Sequence, residues 1–488
     1  MGGEVIVKKS VHINILLNIM RTLLSVAFPL VSYPYATRIL HVENFGKVSF
    51  SQSIISYVGL IAALGISSYA IREGGDYRED NNRLSKFASE VFSINLISTL
   101  ISYFLLLILI VISAEMRNNV YLLLIISITI IMTTLSVEWI NIIFEDYLFI
   151  TIRSFIIQCI SLVLLFGFIK QPSDYYKYAL IQVLNTGLIA FSNFFYTRKF
   201  CTVLITKNLN LKKHLKPILI LFSNSLAVSI YLNVDNVLIG FIIGENFVGL
   251  YSVSVKVYTI LKLAVASVYN VTITRMSEYI SNNKISEYKK LLNDILNNLI
   301  FISVPITAGI ICTSKEIIFI LAGEEYLLAA TSLRILSVAI LFAVIGGTLA
   351  NCINLPHKRE KKNLIGTTIS AVINLLLNIV VIPCWGISGA AFTTLIAEIS
   401  ICIFLIISMK DLWYLFNIKE ISYNTLKSTI AVVPFFMFQY FLKNVLGLQG
   451  MKYLAVIIVL SVFSYCVLGI IIKNKCLLYY KKFLKTKN

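Results

Sequence analysis

The chain has 488 residues, 58% of them hydrophobic and only 14% charged, with a mean hydropathy of +0.84. A soluble fold of this length could not hide that much apolar surface, so the solvent for most of it is lipid. The formal net charge of +18 invites a nucleic-acid reading, but its distribution is that of membrane topology, and nucleic acid is not expected as a partner.

Apolar runs follow one another along nearly the whole chain. At about 20 residues per crossing they predict fourteen helices, over 13–33, 48–71, 89–112, 120–142, 150–169, 177–197, 217–240, 249–273, 294–313, 330–352, 363–383, 389–409, 426–446 and 453–472. The runs do not alternate with period two, which rules out barrel strands and leaves helices to satisfy the backbone in lipid. The first run follows Lys8 and Lys9 without a small-residue cleavage pattern, so it reads as a retained helix rather than a signal peptide. The runs near 120–142 and 150–169 are the least cleanly separated. No polar stretch exceeds roughly 20 residues, which leaves no room for a catalytic domain outside the membrane.

Of the 42 Lys and Arg, 29 fall at the two ends or in alternate gaps, 8 in the other gaps, and five inside the predicted helices. The positive-inside rule then places both termini in the cytoplasm and requires an even number of crossings. Glu43-Asn44-Phe45-Gly46 after the first run is echoed by Glu245-Asn246-Phe247-Val248-Gly249 after the seventh, which suggests a parallel repeat of a six-helix unit. The expected fold is an all-α integral membrane protein of two pseudo-symmetric six-helix bundles, residues 1–216 and 217–409. Residues 410–488 add two further transmembrane helices and a basic cytoplasmic tail. Two such bundles facing each other would leave a cleft, the geometry of an alternating-access carrier.

The five cations inside predicted helices are Arg21, Arg153, Lys256, Lys262 and Arg334, and the acidic residues at similar depth are Glu138, Asp235 and Glu398. A charge at the bilayer centre costs at least about 3 kcal/mol, so each should face the protein interior or a wet cavity. Snorkelling or helix-tying ion pairs explain such residues equally well, least easily for Arg21 and Lys256, which lie well inside their spans. An excess of Arg and Lys in a cavity wall favours an anion, and Arg suits phosphate oxygens in particular. Asp235 is the acidic residue that stands out. It is read as a partner for a cavity cation, a Na⁺ ligand or a proton carrier, with a plain ion pair as likely. Pro29 and Pro34 bracket a kink or broken end in the first span, and Pro305 and Pro383 are hinge candidates.

Other chemistry is sparse. The eight Cys are scattered without a CxxC pair, the four His are dispersed, and neither suggests a metal site. There is no Walker lysine loop, GxGxxG, HExxH or GxSxG. Glu73, Asp76, Glu79 and Asp80 are interleaved with Arg72, Arg78 and Arg83, as in a solvated turn.

Four segments carry a resemblance to a family. They are FPLVSYPYATRILHVENFGKVSFSQSI, with Pro34, Tyr35, Arg38, Phe45, Gly46 and Phe50; EWINIIFEDYLFITIRS, with Glu138, Trp139 and Arg153; LYLNVDNVLIGFIIGENFVGLYSVSVKV, with Asp235, Gly240, Gly249, Tyr251 and Lys256; and the segment of Pro383, Gly386, Gly389, Ala390 and Ala391. In their order and spacing the chain resembles the polysaccharide repeat-unit (O-antigen and capsule) flippases of the multidrug/oligosaccharidyl-lipid/polysaccharide exporter superfamily, over about residues 10–410. It departs from them at His41, where Gly is usual after Arg-x-Leu, and at Cys384 beside Pro383.

The resemblance implies translocation of a polyprenyl-pyrophosphate-linked oligosaccharide from the cytoplasmic to the outer leaflet of a bacterial plasma (inner) membrane, without covalent chemistry or cofactor. It implies Arg21, Arg38, Arg153 and Lys256 for the pyrophosphate and cavity electrostatics, with Lys262 and Arg334 as further cavity cations. Asp235, Glu138 and Glu398 serve ion coupling or charge balance, and H⁺ and Na⁺ both stay open. A polysaccharide polymerase and chain-length machinery are the implied protein partners. The competing readings are a multidrug antiporter of the same fold, with an acidic, aromatic cavity, and a non-transport membrane scaffold.

Overall fold

The computed structural model describes residues 11–472 except Asn208, together with Asn474 and Cys476. The side chains of 11–19, 21–23, 25, 26, 224, 232, 270 and 271 lie outside the described set. The protein is an all-α, multi-pass membrane protein. Among the described residues eleven helical segments are long and apolar enough to cross a bilayer. Residues such as Val111, Ile112 and Val163 point outward, as helices dissolved in lipid allow.

The chain divides into two compact units, Met1–Ser229 and Ile230–Asn488. The first contains α1 (Val11–Ala63), α2 (Ile66–Gly74), α3 (Asn81–Ile112), α4 (Ala114–Asn118), α5 (Val120–Ser136), α6 (Glu138–Ile143), α7 (Tyr147–Phe168) and α8 (Tyr175–Thr197). Next, α9 (Leu211–Ile242) begins in the first unit and ends in the second. The second unit continues with α10 (Glu245–Ser281), α11 (Ile285–Ala322), α12 (Ala329–Thr348), α13 (Glu360–Ser408), α14 (Ile418–Ala431), α15 (Val433–Tyr440) and α16 (Gly450–Ile471).

Two of these helices are not straight. α13 reverses at Gly386 (φ 56°, ψ −139°), and Ser370 and Ser400 of its two legs come within 2.8 Å at their hydroxyls. A straight helix would hold residues that far apart in sequence about 45 Å from each other. Glycine is needed here for its backbone, and Gly389 for its size: a Cβ on it would stand 2.7 Å from the Val381 carbonyl oxygen of the other leg. α1 folds at His41 (φ 59°, ψ 171°), which brings the Tyr33 and Phe45 rings to 5.1 Å. The expected kink at Pro29 and Pro34 therefore sits further along, while both prolines lie within the helical leg before it, as Pro305 lies within α11.

His41 occupies backbone space that only glycine enters without strain, and this is the position where the resembling family has glycine. His41→Gly should therefore stabilise the protein by about 1 kcal/mol, the release of ~1–3 kcal/mol of strain less the backbone entropy of glycine. A rise in the thermal unfolding midpoint in detergent checks this.

The predicted spans fall on helical segments, with four differences in detail. The run 48–71 breaks at Leu64 and Gly65 between α1 and α2. The run 330–352 passes from α12 into a π-turn over Leu349–Asn354. The run 120–142 is interrupted at Val137 (φ 38°), so α5 ends at Ser136 and six-residue α6 turns away from it. The run 426–446 is built from α14, α15 and a π-turn over Phe441–Val445. Small polar side chains tie neighbouring helices, as expected where lipid supplies no hydrophobic drive. Thr99 of α3 and Thr134 of α5 bond at 2.8 Å, and Asn95 and Ser98 donate to the Ala62 carbonyl at the end of α1. In the second unit α14–α16 dock on α11 through Ala431, Phe435, Tyr453, Ile457 and Tyr465. The Tyr453 and Tyr465 hydroxyls donate to the carbonyls of Cys312 and Phe301.

The loops at the two ends of α13 are clamped together. Arg359 donates to both carboxylate oxygens of Asp411, and Lys362 donates to the Ser408 carbonyl. The hydrogen bonds from Arg359 hold the Asp411 carboxyl down at about 2. A depressed carboxyl stabilises the fold above its unfolded value of 3.8, and that contribution is lost as pH falls through about 2. Between pH 4 and pH 2 the unfolding midpoint should fall more steeply in the wild type than in Asp411→Asn, which has no carboxylate to lose.

Candidate functional site

Three clusters bind most of the intramembrane charges. In the second unit Asp235 of α9 is buried against α10 and both legs of α13. It accepts from the Tyr251 hydroxyl at 2.8 Å, the Thr394 hydroxyl at 2.6 Å and the Asn378 amide at 2.6 Å. Around these stand Asn374 Oδ1, 3.2 Å from Asn378 Nδ2, and Thr393, whose hydroxyl donates to Asn378 Oδ1. The Ala390 carbonyl lies 2.8 and 3.0 Å from the Thr393 and Thr394 hydroxyls. The reversal at Gly386 is what places Asn374 and Asn378 opposite Thr393 and Thr394. The result is one carboxylate in a shell of neutral oxygens.

The second cluster joins two residues singled out separately in the sequence. Lys262 Nζ of α10 lies 2.8 Å from Glu398 Oε1 of α13, and the Tyr258 hydroxyl donates to the same oxygen. The Tyr231 and Tyr258 rings both face the ammonium with centroids at 5.1 Å.

The third cluster is in the first unit. Buried Arg153 of α7 pairs with Glu138 of α6 at 3.2 Å, donates to Asn193 of α8, and lies 5.6 Å from the Phe149 ring centroid. Asn193 also accepts from Asn141 at 2.9 Å and donates to Ser136 at 2.8 Å. Here α6 is needed: the break at Val137 turns Glu138 and Asn141 onto α7 and α8.

The remaining candidates are dispersed. Arg334 of α12 donates through Nε to Ser314 of α11 at 2.7 Å. Arg38 is exposed three residues before the fold in α1, and Lys256 is half-buried on α10. The Arg21 side chain lies outside the described residues. Pro383 precedes the reversal of α13 by one turn. Among the described residues no three His, Cys, Asp or Glu side chains converge as metal ligands would.

Sequence reasoning missed the neutral partners: Asn374, Asn378, Thr393 and Thr394 at Asp235, Tyr231 and Tyr258 at Glu398, Asn141 and Asn193 at Arg153. The i, i+4 spacing of Asn374 and Asn378 within an apolar run was the available signal.

The family model described as "Polysaccharide biosynthesis protein" matches residues 11–280, and the MatE model matches residues 220–383. A probable low-salt glycan biosynthesis flippase, Agl15, of Haloferax volcanii is 27% identical over 35% of this chain. That match spans only 36% of the Haloferax protein's length. A putative O-antigen transporter of Shigella dysenteriae is 23% identical over 78% of this chain and 96% of its own. Among solved structures, the inward closed conformation of the lipid II flippase MurJ superposes with a TM-score of 0.77 at 20% identity, over 96% of this chain and 100% of that one. With more than half of its length matched by one model, this chain belongs to the polysaccharide biosynthesis protein family.

Proposed function

We propose that this chain is a flippase that moves a lipid-linked oligosaccharide across the membrane for surface polysaccharide synthesis. The family match over residues 11–280 carries this reading, and the names of the Haloferax and Shigella relatives agree with it. The cargo is a polyprenyl-pyrophosphate-linked repeat unit, taken from the cytoplasmic to the outer leaflet of a bacterial inner membrane. It is handed on to a polymerase and its chain-length partners.

The working arrangement is fourteen crossings, six in 1–216, six in 217–409 and two in 410–488, with both termini cytoplasmic. The two lobes rock in alternating access. The folds in α1 and α13 support that number, because each helix has two legs of crossing length. Arg21, Arg38, Arg153 and Lys256 are the cations for the pyrophosphate and the cavity electrostatics, with Lys262 and Arg334 as further cavity cations. Buried acceptors without a partner among the described residues, Gln158 Oε1 and Asn185 Oδ1, suit sugar hydroxyls. Asp235, with its shell of neutral oxygens, binds the coupling Na⁺ or H⁺.

The MatE match over 220–383 favours a second reading, a cation-coupled multidrug antiporter. Reconstitution into vesicles with a fluorescent lipid-linked oligosaccharide separates the two. A flippase redistributes the probe between leaflets under an imposed ion gradient, and an unchanged distribution removes the proposal. Arg21→Ala and Lys256→Ala should each lower the flipping rate at least ten-fold while inserting normally; wild-type rates in both would take these residues out of the site.

A further inference from the structure

A buried chain of titratable groups in the first unit is used by none of the clusters above. His214, in the first turn of α9, is fully buried. Its Nε2 lies 2.7 Å from Glu90 Oε2 of α3, and its Nδ1 lies 2.7 Å from the Tyr69 hydroxyl of α2. The rings of Tyr69 and Phe87 close around the imidazole at 5.7 and 5.8 Å, with Trp139 packed against Phe87.

The segment leading into this turn is fastened to the same face of α3. The amides of Thr202, Leu204 and Thr206 donate to the hydroxyls of Ser85, Ser89 and Ser93 at 3.0, 3.0 and 2.9 Å. Four helical residues rise about 6 Å and two extended residues about 6.6 Å, so serines one turn apart meet alternate amides. The chain between α8 and α9 is thus zipped along α3, and His214 ends the zip with a contact to α2.

The hydrogen bonds have a direction. A carboxylate only accepts, so Nε2 carries hydrogen and donates to Glu90. With a neutral imidazole Nδ1 then accepts from the Tyr69 hydroxyl, and every group is satisfied. A proton taken up by the ring goes on Nδ1, which must now donate to the Tyr69 oxygen. The Tyr69 hydrogen is left without an acceptor in a site where Tyr69 is 1% exposed. Proton uptake therefore strengthens the bond from α9 to α3 and breaks the complementarity with α2.

The other titratable groups around the trio do not supply the missing acceptor. From α2, Arg72 and Glu73 pair with each other at 3.1 Å. From the one-turn 3-10 helix Gly75–Tyr77, Tyr77 holds Lys213 of α9 at 3.1 Å. On α3, Lys86 is exposed one turn before Glu90. The linker contributes Cys201 to the same apolar cluster, and Glu138 of α6 is taken by Arg153.

We propose that Tyr69, His214 and Glu90 form a proton-binding site in the first unit, whose occupancy decides whether the first turn of α9 is tied to α2. It is separate from Asp235 and does not rest on what the protein carries. The chain has four His, so ring ¹⁵N spectra of the full-length protein in liposomes resolve His214, assigned by its loss in His214→Asn. The expected wild type has hydrogen on Nε2 alone at pH 8.5 and on both nitrogens at pH 5. Amide exchange in α2, corrected for intrinsic pH dependence, should rise at least ten-fold on the same titration. Tyr69→Phe, which leaves Nδ1 without its partner on α2, should make α2 exchange insensitive to pH. A ring that keeps one protonation state from pH 5 to 8.5, or α2 exchange that ignores the titration in the wild type, overturns the proposal. Neither outcome bears on flipping, which the vesicle assay reads on its own.

Discussion

Asp235→Asn should leave a folded protein whose ion-driven transport falls at least ten-fold. The carboxylate accepts from Tyr251, Thr394 and Asn378, two of them hydroxyls that can rotate to accept from the new amide. The hydrogen bonding is largely restored, while the negative charge that a cation or proton needs is gone. Asp235→Ala behaves differently. It removes the acceptor of the buried Tyr251 hydroxyl, at about 1–3 kcal/mol, while Thr394 and Asn378 keep the Ala390 carbonyl and Asn374 Oδ1. It should therefore lower the unfolding midpoint where Asp235→Asn does not. Folding is read by thermal unfolding in detergent and transport by flipping rate under a Na⁺ or pH gradient. A wild-type gradient response in Asp235→Asn would exclude this cluster from coupling.

Glu138→Ala should destabilise the first unit by about 3 kcal/mol, the lower end of the range for a buried ion pair, because the Glu138 side chain is 23% exposed. The size follows from which partner remains. A guanidinium does not lose its proton, so Arg153 would keep its charge in a site where its side chain is 5% exposed. Asn193 and the Phe149 ring stay in place but carry no opposite charge. Arg153→Met combined with Glu138→Ala removes both charges and should recover most of the lost unfolding midpoint. A double variant as unstable as the single one would show that Arg153 contributes more than charge neutralisation.

The helices were legible because burial in lipid demands long apolar runs, and hydropathy alone locates these. Their ends were less so. The fold in α1 lies at His41, seven residues beyond Pro34, because the backbone of one residue sets it and no composition shift marks it. The charged candidates were visible as charges in apolar runs, but their partners were not. Glu398 meets Lys262 across 136 residues and Asp235 meets Thr394 across 159, and no local pattern encodes such distances. The serine spacing at 85, 89 and 93 was in plain view yet reads as ordinary helix polarity until the extended segment beside it is seen.

The turn at Gly386 has a practical and a biosynthetic consequence. It joins the two legs of α13 without a loop, so an epitope or protease site placed there must break the packing of Gly389 against Val381. Reporters of sidedness belong in the exposed turns around residues 79 and 410 instead. During synthesis, the first leg of α13 completes the hydrogen bonding of Asn374 and Asn378 only once Thr393 has left the ribosome. Asp235 can already hold Asn378, but among the described residues Asn374 Nδ2 and Asn378 Oδ1 find their partner only in Thr393, which favours entry of the two legs as one helical hairpin.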